Sequence, residues 1–70
     1  MRNKHTKYSR LVDRLKEIED ANDWDEGKVC EFVDIRDYNA VYKMPDSAIT
    51  SVYNTIDYFF AADGKYLLPF

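Results

Sequence analysis

The sequence predicts a small α+β domain in which an N-terminal helix, a central β-hairpin and a C-terminal helix share one core. Apolar residues recur at helical spacing near both ends of the chain, and the segment between them is rich in β-branched and aromatic residues. Because 70 residues suffice for only one core, we expect a single globular domain over residues 1–70, with residues 1–5 frayed. A three-helix, all-α arrangement is the alternative.

The first predicted helix runs from about Thr6 to Ala21. Its apolar stripe, at spacings of three and four residues, is Tyr8, Leu11, Val12, Leu15 and Ile18. Basic residues lie toward the start of this helix and acidic residues toward its end, which is the order that the helix dipole disfavours. Each such misplacement costs only a few tenths of a kcal/mol, roughly, so burial of the stripe can outweigh it.

The middle segment is predicted to be a hairpin, with strands near Lys28–Ile35 and Ala40–Met44. The residues that favour strands there are Val29, Cys30, Phe32, Val33, Ile35, Val41 and Tyr42. The stretch "RDYNA" between the strands contains the Asp and Asn of a turn. In the competing interpretation this segment is a middle helix with a stripe formed by Val29, Phe32, Val33 and Arg36.

The last predicted helix begins at Pro45 and Asp46, residue types that suit a helix start. Its wide apolar stripe consists of Ile49, Val52, Tyr53, Ile56, Phe59 and Phe60. Asp63 and Gly64 provide a C-terminal stop. The final "KYLLPF" is too apolar to extend into water, so we expect it to lie across the core or at the sheet edge.

Residue usage favours a cytoplasmic protein and argues against catalysis. Cys30 is the only cysteine, the N-terminus lacks the apolar core of a signal peptide, and no apolar run approaches the ~20 residues of a membrane span. His5 is the only histidine, and the acids Asp23, Asp25 and Glu26 lack the spacing of a calcium-binding loop. We therefore predict no catalytic residue, no metal site and no cofactor.

Charge is distributed very unevenly along the chain. Residues 1–16 contain six basic residues and one acidic residue, for a net charge of +5. Residues 17–40 contain nine acidic and two basic residues, for a net charge of −7, and residues 41–70 sum to −1. Such polarity indicates a charged partner.

The acidic half surrounds the only tryptophan, in the stretch "EIEDANDWDE". Like charges at this density repel one another, and an aromatic beside charges is typical of an interface anchor. The predicted partner-binding residues are Glu17, Glu19, Asp20, Asp23, Trp24, Asp25, Glu26, Glu31, Asp34, Asp37 and Tyr38. The plainer interpretation is a solvated face that keeps the domain soluble, with Trp24 capping the core.

Eleven aromatic residues are more than so small a domain can bury fully, so some tyrosines should be exposed at a contact surface. The best candidates are Tyr38, Tyr53 and Tyr58. These features lead to the hypothesis of a non-catalytic protein-binding module, an inhibitor or regulator whose carboxylates replace phosphates in a basic groove of a larger protein. In general style the chain is similar to phage-encoded inhibitors of host enzymes, anti-restriction proteins and anti-CRISPR proteins, although no motif matches a specific family.

The alternative hypothesis is a small dimeric regulator that binds nucleic acid through its basic N-terminal helix. The phosphate contacts would be Arg2, Lys4, Lys7, Arg10 and Arg14. The overall pI of about 4.9 and the adjacent acidic segment weigh against direct nucleic-acid binding. The same charge pattern permits a homodimer in which the basic helix start meets the acidic segment of a second copy.

Overall fold

The computed structural model describes residues 4–67, with side chains from residue 7 onward, and this part of the chain is mostly helical. Helix α1 spans Lys4–Asn22, a 3₁₀ helix spans Lys28–Glu31, α2 spans Tyr38–Val41 and α3 spans Asp46–Phe59. Within residues 4–67 the only β-type pairing is one isolated antiparallel bridge between the residues at 60 and 66. The predicted α+β class is therefore wrong, and the all-α alternative fits better.

The central β-hairpin fails because burial in its first predicted strand does not alternate. Val29 and Cys30 are consecutive and both buried, whereas the residues of a half-buried strand face opposite sides in turn. Asp34 also has a left-handed backbone (φ 58°), which interrupts an extended chain. Helical turns bury these β-branched residues against α1 equally well, so packing outweighs their intrinsic preference for strands.

The predicted turn at "RDYNA" is instead the start of α2. Asp37 is extended, and its side chain accepts a hydrogen bond from the Ala40 backbone N–H at 3.0 Å. This is the N-cap arrangement, so the residue chosen as a turn former ends one loop and begins a helical turn. The competing middle helix is also divided, because the 3₁₀ helix and α2 are separate, yet Val29 and Val33 of its stripe are buried.

The core lies between α1 and the rest of the chain. All five stripe residues of α1 are buried, as are Ile49, Val52 and Ile56 of α3. Full burial of an aliphatic side chain contributes roughly 1.5–3 kcal/mol, which outweighs the unfavourable charge order of α1. The Tyr8 hydroxyl also donates to the Met44 carbonyl at 2.6 Å, tying α1 to the loop before α3.

The segment after α3 folds back onto the end of α1. Asn22 holds it there, donating from Nδ2 to the Ile18 and Gly64 carbonyls, both at 2.8 Å, and accepting from the Tyr66 backbone N–H at 3.0 Å. Gly64 has φ 91°, and a Cβ there would lie 3.1 Å from the Ala21 Cβ. Residues 65–67 of "KYLLPF" therefore pack against the body of the domain, and residues 68–70 lie outside the described range.

Candidate acidic contact surface

Helix α1 ends in a left-handed turn that projects the acidic segment away from the helix. Asp23 has φ 58°, the Trp24 backbone N–H donates to the Glu19 carbonyl at 2.9 Å, and the Asp23 N–H donates to the Asp20 carbonyl at 3.3 Å. This pair of bonds is the Schellman arrangement, in which the left-handed position is usually glycine. An aspartate therefore occupies a position that favours glycine.

Trp24 is half-buried and packs into an aromatic cluster. Its ring stacks on Phe32, with centroids 4.8 Å apart and planes within 5°. The rings of Phe60 and Tyr66 pack against the same ring, with centroids 5.8 and 5.9 Å from its centroid. The tryptophan therefore holds the turn after α1 against the 3₁₀ helix and the C-terminal segment, and only part of its surface faces solvent.

Glu19 is the one acid of the set that points inward, with 5% of its surface exposed. Its Oε2 accepts from the Val29 backbone N–H at 3.1 Å, and its Oε1 accepts from the Tyr38 hydroxyl. Burial, followed by this hydrogen bond, raises the pKa of Tyr38 well above its usual value. The carboxylate thus joins α1 to the 3₁₀ helix and to α2.

Five carboxylates of the predicted set are exposed, and within residues 7–67 they have neither an ion pair nor a side-chain hydrogen bond. These outer acids are Asp20, Asp23, Asp25, Glu26 and Asp34. They lie at the end of α1, in the loop after it and after the 3₁₀ helix. Their charge is therefore uncompensated by any described side chain.

Asp34 repeats the backbone arrangement of Asp23. It has φ 58°, and the following residue, Ile35, donates its N–H to the Cys30 carbonyl at 3.0 Å. In both places an aspartate in the left-handed conformation is followed by an apolar side chain that packs inward. The predicted set included both residues for their charge, but their backbone role was missed; the signal was an acid directly before an apolar residue at the end of a helical turn.

The remaining predicted contacts have partners within the domain. Glu17 pairs with Arg14 at 3.3 Å, and Glu31 pairs with Lys28 at 3.3 Å. Asp37 caps α2 through one oxygen. Surface pairs of this kind are worth little, ~0.2–1 kcal/mol, so they leave these acids available for exchange with an outside cation.

Two grooves meet at Glu26. The larger, about 460 Å³, is lined by Glu26, Gly27, Arg36, Asp37, Tyr38 and Asn39. The smaller, about 280 Å³, is lined by Lys16, Glu19, Asp20, Trp24 and Glu26. Since charged and polar groups line both grooves, they suit the side chains of a protein partner better than an apolar small molecule.

The exposed aromatic surface lies mainly outside the acidic segment. Tyr58 is 70% exposed, while the other two predicted contact tyrosines, Tyr38 and Tyr53, are half-buried. Burial raises the pKa of Tyr53, partly opposed by Arg10 and Arg14. Of the three tyrosines, Tyr58 therefore offers most of its ring to solvent.

The basic residues of the alternative hypothesis are partly committed to the fold. Arg14 donates from Nη2 to the Ala61 carbonyl at 2.9 Å and from Nη1 to the Ala62 carbonyl at 3.3 Å. Lys7 pairs with Asp46 at 3.4 Å. Arg10 is exposed and has no ion pair among the described side chains, whereas Arg2 and the side chain of Lys4 lie outside the described part.

Within residues 7–67, no group of three or more potential metal ligands is close enough to hold an ion. Cys30 is buried, and burial with the nearby Glu19 and Asp37 raises the pKa of its thiol to about 11. No helix in the described chain combines the length and apolar character needed to cross a bilayer. No protein-family model, curated protein or solved structure matches the sequence.

Proposed function

We propose that this protein is a non-catalytic, cytoplasmic protein-binding module, an inhibitor or regulator that presents its outer acids to a basic site on a larger protein. The observation that carries the proposal is the set of five exposed carboxylates with no partner in the described domain. Two of them, Asp23 and Asp34, also occupy left-handed positions where glycine is more stable.

These acids cost the isolated domain stability. Asp23 lies at the C-terminal end of α1, where the helix dipole disfavours negative charge. Neighbouring carboxylates raise the local negative potential, which destabilises a compact chain but steers a cationic partner toward it. A basic surface that neutralises the outer acids would relieve this repulsion, so complex formation recovers what the free domain loses.

The target we favour is a site that normally binds nucleic acid. Carboxylates three or four residues apart on a helix, such as Glu17 and Asp20, have Cβ atoms ~5–6 Å apart, which is close to the spacing of phosphates along a strand. The two grooves on either side of Glu26 would receive lysine or arginine side chains of the target. The rings of Trp24 and Tyr38, one lining each groove, supply aromatic surface for those cations.

The test uses charge removal without change of shape. The double variant D23N/D25N removes two outer acids, and asparagine tolerates the left-handed backbone at position 23. The matched control is D57N/D63N, which changes the net charge equally at two exposed acids outside the acidic segment, and asparagine at 63 keeps the Oδ1 that accepts from the Lys65 N–H. Wild type and both variants are immobilised, exposed to nuclease-treated lysate of the source cells and eluted on a salt gradient.

We expect a nucleic-acid-binding protein that wild type and D57N/D63N retain and that D23N/D25N releases at lower salt. The same protein, once purified, should lose its bound DNA or RNA when wild type is added, because both ligands occupy one basic site. Equal retention by all three forms, or a ternary complex with nucleic acid still bound, contradicts the proposal. Retention that disappears on nuclease treatment would move the function to the basic N-terminal residues.

A further inference from the structure

The solvent-exposed face of α1 has a charge pattern that is self-complementary. Six charged residues follow one another along this face at successive spacings of three, three, one, three and three residues. All but the half-buried Arg14 are exposed: Lys7, Arg10, Asp13, Arg14, Glu17 and Asp20. The exposed Lys16 lies to one side of this row, over the Tyr38 ring. The six residues of the row form three pairs of opposite charge placed symmetrically about the midpoint between residues 13 and 14. The pairs are Lys7 with Asp20, Arg10 with Glu17, and Arg14 with Asp13.

Because of this symmetry, two copies of α1 laid side by side in opposite directions bring each positive residue against a negative one. A two-fold axis through the midpoint makes residue 7 of one copy face residue 20 of the other, and residue 10 face residue 17. Every pair occurs twice, as in any isologous interface. The sequence continues the relation beyond this face, since Lys4 and Asp23 are also equidistant from the midpoint and opposite in charge.

We propose that this face of α1 is a self-association surface, and that its partner is a second copy of this chain in antiparallel orientation. The arrangement also accounts for the charge order of α1. In the single chain the acids at the end of the helix are disfavoured by its dipole, and the first turn contains no acid. In the antiparallel pair each acidic end lies beside the positive N-terminal end of the partner helix, which stabilises it.

The local contacts of the face permit the exchange. Arg10, Asp13 and Asp20 have no ion pair within the described residues. Lys7 takes part only in an exposed ion pair with Asp46, at 3.4 Å. Glu17 is itself exposed and pairs at 3.3 Å with the half-buried Arg14, which also donates to the Ala61 and Ala62 carbonyls. Since exposed pairs are weak, the intermolecular contacts can replace them. No large apolar side chain lies among the six residues, so association should be weak and strongly dependent on salt.

The proposed dimer goes beyond the partner-binding surface and overlaps it at Glu17 and Asp20. The dimer would therefore bind a target through the outer acids that follow α1. The turn after α1 begins about nine residues from the midpoint, or roughly 14 Å along the helix axis. The two copies therefore carry Asp23, Asp25, Glu26 and Asp34 at opposite ends of the pair. A target with two basic sites would then be bound by both copies at once.

The experiment is sedimentation equilibrium of the full chain and three variants, in about 20 mM and about 500 mM NaCl. R10E and E17R each place like charges together twice, so each should weaken dimerisation at least about tenfold. The double variant R10E/E17R has the net charge of wild type and restores opposite charges across the axis, so its dimer should return. Circular dichroism checks that all four chains are equally helical.

A mixture of the two single variants gives the decisive comparison. Every contact at positions 10 and 17 is complementary in the mixed dimer, so R10E with E17R should associate although neither does so alone. A wild type that stays monomeric at low salt and about 0.5 mM overturns the proposal. Dimerisation that is unchanged by the single reversals, or that neither the double variant nor the mixture restores, overturns it as well. These variants leave the acids at 23 and 25 intact, so failure here is separate from failure of the target-binding test.

Discussion

Glu19 and Asp23 are four residues apart in the same acidic stretch, yet their carboxylates have opposite relations to the fold. Glu19 is buried and accepts hydrogen bonds at both oxygens from two other elements of the domain. Asp23 is exposed, has no side-chain partner in the described part and lies in a backbone conformation that favours glycine. One acid contributes to folding, and the other works against it.

The neighbouring residues follow the same division. Trp24 packs inward on Phe32 and Phe60, whereas Asp25 and Glu26 beside it face solvent. The acidic stretch therefore has an inner layer that builds the domain and an outer layer that is free to contact something else. A local concentration of charge in a sequence does not by itself define a binding surface, because burial selects which members of the cluster remain available.

Replacing Glu19 should have the largest effect. Glu19→Ala leaves the buried Val29 N–H and the partly buried Tyr38 hydroxyl without their acceptor, and we expect a loss of about 3–4 kcal/mol in the free energy of unfolding. Urea denaturation followed by circular dichroism measures it. Tyr38→Phe, which removes one of the two bonds and adds no cavity, should cost about 1–2 kcal/mol. A loss below about 1 kcal/mol for Glu19→Ala would show that this carboxylate does not join the elements as described.

Trp24→Ala should have the next largest effect, a loss of about 2–3 kcal/mol in the free energy of unfolding. The ring is half-buried, so the expected cost lies below that of a fully buried tryptophan. The matched control is Asp25→Ala at the adjacent outer position, which should change the unfolding free energy by no more than about 0.5 kcal/mol. If the two variants were equally stable, the aromatic cluster would not hold the turn after α1.

The helices at the two ends of the chain could be predicted because their apolar stripes are long and regular. The stripe of α1 is buried in full, and α3 begins at the expected Pro45 and Asp46. The structure of the segment between them could not be predicted, because residue types such as those of Val29, Cys30 and Val33 occur both in strands and in buried helical turns. Packing against α1 decides between them, and it comes with the hydrogen bond from the Val29 N–H to Glu19, a contact between residues ten positions apart that no local pattern contains.

The Cys30 thiol should be strongly protected from alkylation in the folded protein. With its pKa raised from 9.0 to about 11, the thiolate fraction near pH 8 falls on the order of hundredfold, so alkylation by iodoacetamide should be slower by at least that factor than in urea. Between these two pKa values the native state keeps a proton that the unfolded state has lost, so stability falls as the pH rises through that window. Cys30→Ala should reduce this alkaline loss, and an equal loss in both proteins would assign it to other groups.

The smallest effect should have the opposite sign. Asp23→Gly and Asp34→Gly relieve the left-handed backbone and remove an uncompensated charge, so each should stabilise the domain by about 0.5–1 kcal/mol. Asp25→Gly is the control, because position 25 has no positive φ and glycine there only adds flexibility to the unfolded chain. It should be neutral or slightly destabilising. Destabilisation by all three substitutions would mean that the outer aspartates contribute to folding.

Which acids form the exposed surface was only partly predictable, because burial depends on tertiary contacts that the sequence pattern does not contain. Charge and sequence proximity selected the five outer acids, but they placed the buried Glu19 in the same set. Its position is set by the helical stripe, where it lies one residue from Ile18 at the edge of the buried face of α1. Two of the outer acids also have a backbone role that depends on the end of a helical turn, and that end is fixed by tertiary packing.

The most direct measurement is the free energy of unfolding, at low salt, of the variant in which all five outer acids are neutralised: D20N/D23N/D25N/E26Q/D34N. We expect a value equal to or above that of wild type, because these side chains have no partner in the described domain and repel one another. A loss of more than about 1 kcal/mol would contradict it, since that loss would show the outer layer to be part of the folding machinery as well.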